Sequence, residues 1–222
     1  MKVIAVLPAY NEAAVISDVI ARLNAFVDRV VVVDDGSSDS TGDLAKRAGA
    51  FVVRHLINRG QGAALETGTR LALDFGADVI IHFDADGQHD SKDIAAMIAP
   101  ITERQMDVVL GSRFLGKAVS LPIGRRLILH LGILFTCFFS GLKLTDVHNG
   151  FRAFSRAAAM QISLTHDGMA HASEILDIIA DKNLRYVEVP VTIHYTAYSL
   201  GRGQGSGNAV QIVWRLLINK FF

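Results

Sequence analysis

VIIHFDADGQHD, residues 79 to 90, is the stretch on which the reading of this chain turns. Apolar and β-branched residues run into Phe83, and acids follow at once. A parallel strand buried on both faces has this form, with polar chemistry just past its carboxyl end. Asp84, Asp86 and Gln88 occupy alternate positions. Alternate residues at a strand tip share a face, so three oxygen-bearing side chains would converge. Hard divalent cations take oxygen ligands, and Mg2+ commonly takes one or two carboxylates together with substrate phosphates. The competing reading is an acidic loop that caps the next helix, with Ser91 as N-cap.

Working outward, the same pattern repeats. Lys2 to Leu7 reads as a strand ended by Pro8, and Ala9 to Glu12 turn into a helix reaching about Phe26. Val30 to Val33 is a second strand, closed by Asp34, Asp35, Gly36, Ser37 and Ser38. A helix over Thr41 to Ala48 and a strand at Phe51 to Arg54 follow, and Asn58 to Gly62 open a helix over Ala63 to Phe75. After the central stretch come a helix at Ser91 to Thr102 and a strand at Asp107 to Gly111. Strands alternating with helices predict an α/β fold, a mainly parallel sheet flanked by helices. Ligands in such sheets bind beyond the carboxyl ends of the strands, where three of the polar clusters fall.

The later chain is less regular. Leu127 to Leu144 is an apolar run interrupted by His130, Ser140 and Lys143. It reads as a core helix, a weak span or a helix at a membrane surface. Asp146 to Phe154 enters a short strand, Ser155 caps a helix, and Met169 to Ala180 forms another that carries Glu174. Tyr186 to Tyr195 is a last strand, where Pro190 marks an edge or a bulge. Residues 1–200 form one domain on this reading. Residues 201–222 are a Gly-rich linker and an amphipathic C-terminal helix, interfacial or a homodimer contact.

Composition narrows the function. The 222 residues suit a single α/β domain, and 50% are hydrophobic, ample for a core. Lys and Arg number 22, as do Asp and Glu, so no long-range attraction draws nucleic acid to the chain. One cysteine, Cys137, excludes an internal disulfide and fits a reducing, cytoplasmic setting. The N-terminus reads as a strand and not a signal peptide.

Each polar cluster has two readings. Asp34 and Asp35 would bind ribose or base, or cap a helix together with Ser38 or Ser40. Glu12 would do the same, or act as a first-turn acid. Gly60 and Gly62 let the chain turn sharply, since neither G-x-x-x-x-G-K-[ST] nor a G-x-G-x-x-G after the first strand is present. Arg113, Arg125 and Arg126 would clamp an anion or stay solvated. His82, His89 and His148 lack zinc spacing and read as packing or supporting groups.

Taken together, PAYNE (8–12), VVDDGSSD (32–39), DADGQH (84–89), GSRF (111–114) and NGFRAF (149–154) resemble the family 2 glycosyltransferases of the GT-A fold, in order and rough spacing. Within that family the chain looks most like the dolichyl- or polyprenyl-phosphate mannosyl- and glucosyltransferases. The resemblance implies that Pro8, Tyr10, Glu12, Asp34 and Asp35 line the nucleotide, and that Asp84, Asp86 and Gln88 hold the metal, Mg2+ or Mn2+. It implies that Asp84, Asp146 and Arg152 meet the donor sugar, and Arg113 with Arg125 or Arg126 the acceptor phosphate. Asp84, Asp86, Arg113 and Asp146 would be the catalytic set. Gln61 stands where many relatives carry lysine, and the C-terminal transmembrane helices of many relatives are missing.

The expected reaction is inverting transfer of a hexose from GDP-mannose or UDP-glucose to a polyprenyl or dolichyl phosphate. Asp146 and Glu174 are the candidate bases should the acceptor be a hydroxyl. Transfer to a saccharide hydroxyl and binding of a nucleotide sugar without turnover are the alternatives. A lipid acceptor implies peripheral association with the cytoplasmic face of a membrane, through Leu127 to Leu142 or the C-terminal helix.

Overall fold

The computed structural model describes residues 1–120, 126, 129, 132–133, 136–137, 141–147, 149–196 and 198. Arg125, His148, most of the run from Leu127 to Leu144, and residues 201–222 with the linker and amphipathic helix expected there, lie outside the described residues.

The strands are β1 (Val3–Ala9), β2 (Arg29–Asp34), β3 (Phe51–Arg54), β4 (Val79–His82), β5 (Val108–Val119), β6 (Arg152–Ser155) and β7 (Tyr186–His194). The helices are α1 (Ile16–Leu23), α2 (Thr41–Arg47), α3 (Gln61–Asp74), α4 (Ile94–Arg104), α5 (Arg156–Ala159) and α6 (His171–Asp181). One seven-stranded sheet runs in the order β3-β2-β1-β4-β6-β5-β7. β1 to β4 are parallel and β5 is parallel to β7, while β6 runs antiparallel to both its neighbours.

Burial on both faces explains the near-continuous apolar strands. One face packs Leu7, Val32, Ile81 and Phe151 against Ile16 and Ile20 of α1, Ala45 of α2, and Ile94 and Met97 of α4. The other packs Ile4, Val6, Val31, Ile80 and Phe154 against Leu65 of α3, Ala158 of α5, and Ile175 and Ile179 of α6. Each fully buried Leu or Ile contributes about 1.5–3 kcal/mol, so these two layers dominate the stability. α3 lies so close to the sheet that a Cβ on Gly68 would sit inside Val6.

Several boundaries differ from the sequence reading. Pro8 does not end β1; it pairs with Val33, one residue before the strand closes. Phe83 N–H donates to Val6 O and Asp35 N–H to Ala9 O, so Pro8 faces the β4 side. The β1–β4 ladder has already ended at Val6–His82, so the missing proline N–H leaves no hydrogen bond unmade. Glu12 is not a first-turn acid, because α1 begins only at Ile16; Asp18 fills that place. Ser40 takes the N-cap position of α2 without a side-chain bond, and Asp39 accepts from Thr41 N–H at 3.0 Å instead. Ser91 opens a 3-10 turn capped by Asp90, which accepts from Lys92 N–H. Ser155 does cap α5, accepting from Ala158 N–H.

β5 is longer than expected and carries GSRF inside the strand. β7 pairs with it as far as Ser112–Pro190, and pairing resumes at Lys117–Thr192 after an irregularity. Pro190 thus sits on an edge strand beside a bulge, as its sequence context predicts. No helix among the described residues is long and apolar enough to cross a membrane.

Candidate active site

The loops after β1 and β2 are sewn together at the carboxyl edge of the sheet. Asn11 adopts a left-handed conformation (φ 56°) that turns its side chain onto the neighbouring loop. Its Oδ1 accepts from Ser38 N–H at 2.8 Å, and its own N–H donates to Ser37 Oγ at 2.9 Å. Glu12 N–H donates to Thr41 Oγ1 at 2.8 Å. The structure therefore brings Pro8, Tyr10, Glu12, Asp34 and Asp35 to one edge. Their surroundings differ: Tyr10 is exposed, Glu12 borders on buried, and Asp34 and Asp35 are buried.

Protein groups hold both buried carboxylates. Asp34 Oδ1 accepts from Ser37 N–H at 2.9 Å, and Arg54 Nε lies 3.5 Å from its Oδ2. Asp35 accepts from Arg59 N–H at 3.0 Å and Gly60 N–H at 2.6 Å, and His55 Nδ1 lies 2.7 Å from its Oδ1. Asp35 thus holds the turn that leads into α3. His55 escaped the sequence reading; its only signal is its place immediately past β3.

That turn needs its glycines. Gly60 has φ +107°, and a Cβ on Gly62 would collide with His166 O and crowd His171. Gly62 N–H donates to Asp167 O at 2.8 Å, and Ala63 N–H reaches the same oxygen at 3.2 Å. Arg59 also pairs with Asp167 at 3.1 Å. The first amides of α3 are therefore spent on protein acceptors. Neither the Gly62 nor the Ala63 amide is left for a phosphate, and the sharp-turn reading of the glycines holds.

Asp84 is the centre of the arrangement. Gln61 Nε2 donates to its Oδ1 at 2.9 Å, and His89 Nε2 lies 3.0 Å from its Oδ2. The His89 ring is wedged between Phe83 and Phe151, centroids 5.1 and 5.2 Å away, which fixes its plane. Gly150 presses on the carboxylate so closely that a Cβ there would overlap it. Burial alone would raise the Asp84 pKa. The His89 hydrogen bond and the charge of Arg152 outweigh it and hold the carboxyl below its ordinary value.

Asp86 lies in the opposite field. Burial and the neighbouring charge of Asp84 push its pKa up, and Gln88 N–H donates to its Oδ1 at 3.0 Å. A half-buried carboxylate beside a second negative charge suits a cation, so Asp86 fits the divalent metal expected here. Asp84, with both oxygens accepting from protein, fits less well as a direct ligand. Among the described residues, no cluster of three His, Cys, Asp or Glu side chains forms a metal cage. A metal here would therefore need further oxygens from substrate.

Arg152 is almost fully buried, with Nη1 lacking a partner among the described residues. Burial draws its pKa down to about 10 against the raising charges of Asp84 and Asp146, so it remains a cation at neutral pH. It pairs with His82 across β4 and with Leu110 across β5. His82 and His171 are driven the other way, to about 3 and about 4, by burial first and then by the Arg152 charge. Both rings are neutral at physiological pH, and His82 Nε2 lies 2.8 Å from Thr69 Oγ1.

On the far side, Arg113 Nε donates to Asp146 Oδ2 at 2.6 Å and Arg113 Nη1 to Tyr195 Oη at 2.6 Å. Burial works against the Arg113 charge, but Asp146 and Tyr195 more than restore it and hold the pKa above its ordinary value. The Asp146 loop is itself fixed by Glu188, which accepts from Thr145 N–H and, at 3.0 Å, from Asp146 N–H. Tyr195 and Glu188 carry no motif that sequence reasoning could find. Arg126 is exposed. Both oxygens of Glu174 are occupied, accepting from Thr165 N–H at 2.8 Å and His166 N–H at 3.1 Å.

The fold matches GT-A enzymes of known structure. Glucosyl-3-phosphoglycerate synthase from Mycobacterium tuberculosis superposes with a TM-score of 0.72 at 21% identity, over 90% of this chain and 74% of that one. The model of the glycosyl transferase family 2 matches residues 4–163, and the chain belongs to that family and is a glycosyltransferase. It is 36% identical to the UDP-N-acetylglucosamine–dolichyl-phosphate N-acetylglucosaminyltransferase of Methanococcus voltae, covering 97% of this chain and 94% of that one. It is 34% identical to the undecaprenyl-phosphate mannosyltransferase of Micrococcus luteus, covering 95% and 90%.

Proposed function

We propose that the chain transfers a hexose from a nucleotide diphosphate sugar, GDP-mannose or UDP-glucose, to a polyprenyl or dolichyl phosphate, with inversion at the anomeric carbon. The names of relatives matched along nearly their full lengths support this acceptor class. The observation that carries the choice of phosphate over hydroxyl is the fate of the two candidate bases. Asp146 is tied to Arg113, and Glu174 holds the Thr165–His166 turn. A hydroxyl nucleophile needs a base to take its proton. A phosphate monoester, with a second pKa of about 6, is already largely anionic.

In this reaction an acceptor phosphate oxygen bonds to the anomeric carbon, and the bond from that carbon to the diphosphate breaks, its electron pair leaving on the nucleotide. Asp86, with Gln88 and Asp84 beside it, would hold Mg2+ or Mn2+, which when bound neutralises charge on the diphosphate. The GT-A enzyme from M. tuberculosis is described in complex with Mn2+ and UDP-glucose, which agrees with that role. Tyr10 and Glu12 would face the nucleotide, with Pro8, Asp34 and Asp35 supporting them from beneath. Asp84, held by Gln61 and His89, would present a fixed carboxylate to the donor sugar. Arg113 and Arg126 would serve the acceptor phosphate, Arg113 from the Asp146 side of the cleft.

Peripheral docking at the cytoplasmic membrane face belongs to the same proposal, because the acceptor stays in the bilayer. Residues 201–222 would supply the docking helix. The test is a screen of GDP- and UDP-sugars with polyprenyl phosphate and with saccharide acceptors. Product on the lipid phosphate supports the reading; product only on a saccharide hydroxyl, or nucleotide binding without turnover, replaces it. Liposome flotation with and without the residues after Gly207 tests the docking helix.

A further inference from the structure

Two tyrosines at the exit of β7 reach opposite sides of the cleft. Tyr195 Oη accepts from Arg113 Nη1 at 2.6 Å. Tyr198 Oη donates to Glu12 Oε2 at 2.8 Å, a contact between residues 186 apart in the chain. Arg113 belongs with Asp146 on the acceptor side. Glu12 stands between exposed Tyr10 and the start of α1, on the loop that lines the nucleotide side.

We propose that Tyr198 is a positioning residue for the donor nucleotide, and that Tyr195 and Tyr198 form a two-point clasp. The clasp sets the spacing between the Glu12 loop and the Arg113–Asp146 pair. This rests on the reading of the site as a nucleotide-sugar site. The backbone of Glu12 is already fixed, by Thr41 at its N–H and by Val15 and Ile16 N–H at its carbonyl. The carboxylate at the end of its flexible side chain is what the phenol adds control over. A hydrogen bond to a charged acceptor is about twice as strong as a neutral one, enough to select one rotamer. Because Tyr195 is held by Arg113 only three residues earlier, any movement of one half of the cleft is felt by the other.

The test uses the full chain. Tyr198→Phe keeps the ring and removes the hydroxyl. The expected result is a rise of about 10-fold in the Kd for GDP or UDP measured with Mn2+ present, the lower end of what one charge-assisted bond contributes. Amide exchange at Asn11 to Ala13 should quicken, with an unchanged thermal midpoint. In a Glu12→Ala background, Tyr198→Phe should add nothing further. Tyr195→Phe should weaken nucleotide binding less than Tyr198→Phe does, while lowering kcat with the lipid acceptor. Wild-type nucleotide affinity in Tyr198→Phe, or unchanged amide exchange in that loop, overturns the proposal. If the unaltered chain binds neither nucleotide, the donor reading itself falls, and amide exchange alone then decides whether the clasp exists.

Discussion

Arg113 and Asp146 are joined twice: the guanidinium Nε and the backbone N–H of the same residue both donate to Asp146 Oδ2, at 2.6 and 3.0 Å. Their side chains are only 7% and 1% exposed. Such a pair adds little net stability, but removing one member strands a buried charge, at about 3–5 kcal/mol. Asp146→Asn should therefore lower the urea-unfolding free energy by about 3 kcal/mol. The double variant Arg113→Met/Asp146→Leu should recover most of that loss and none of the activity. A double variant no more stable than Asp146→Asn would show that the pair is not a self-contained unit.

The two aspartates of the DADGQH stretch should separate in metal binding. Asp84 gives both oxygens to Gln61 and His89, whereas Asp86 carries the raised pKa of an uncompensated carboxylate. Asp86→Asn should abolish Mn2+ binding followed by electron paramagnetic resonance with nucleotide present. Asp84→Asn should weaken it by about 10-fold, the scale of losing a supporting group. Chelator should remove transfer activity from the unaltered chain. The reverse order of the two variants would make Asp84 the ligand.

Gly150 offers a steric test. A Cβ there would overlap the Asp84 carboxylate, which cannot swing away without leaving Gln61 and His89. Gly150→Ala should reduce kcat/KM by about 100-fold, because misplacing a reacting group by about 1 Å costs on that order. Stability should fall by only about 1–3 kcal/mol, the usual cost of overpacking. Near-normal kinetics would mean that Asp84 tolerates displacement.

Acid should loosen the fold through two buried imidazoles. His82 and His171 have folded pKa values of about 3 and about 4 against an ordinary 6.5. The unfolded chain therefore binds more protons below about pH 6.5, so stability falls as pH drops from there toward the folded values. Between about pH 7.5 and about pH 5.5 each ring should cost about 1.4 kcal/mol. Denaturant midpoints across that range measure it, and a flat profile would mean that neither imidazole is held neutral by burial.

The fold was legible because its strands are buried on both faces. Runs such as Val30 to Val33 and Val79 to Ile81 have no amphipathic alternation to confuse them, and acids mark their ends. The extension of β5 was not legible, since Phe114 to Val119 becomes a strand only through β7, far along the chain. The same holds for the site. The carboxylates announce themselves by type and spacing. What holds them does not: Tyr195 on Arg113, Glu188 on the Asp146 loop and His55 on Asp35 are contacts between distant segments. The caps expected at Ser40 and Ser91 failed for a related reason, because several side chains compete at each turn and the sequence does not rank them, whereas Ser155 does cap its helix.

The reversed direction of β6 has an architectural consequence. A parallel strand delivers its exit to the reactive edge; β6, antiparallel to β4 and β5, delivers its entrance there. The connection from β5 to β6 therefore departs beyond Val119, the last residue of β5 paired to β7, and returns at Asn149 and Gly150, beside Asp84. The backbone that closes on the Asp84 carboxylate is thus set by where β6 begins, and β6 is gripped on both sides, by β4 and by β5. A shift of that strand by one residue would carry Gly150 off the carboxylate and bring a side chain against it.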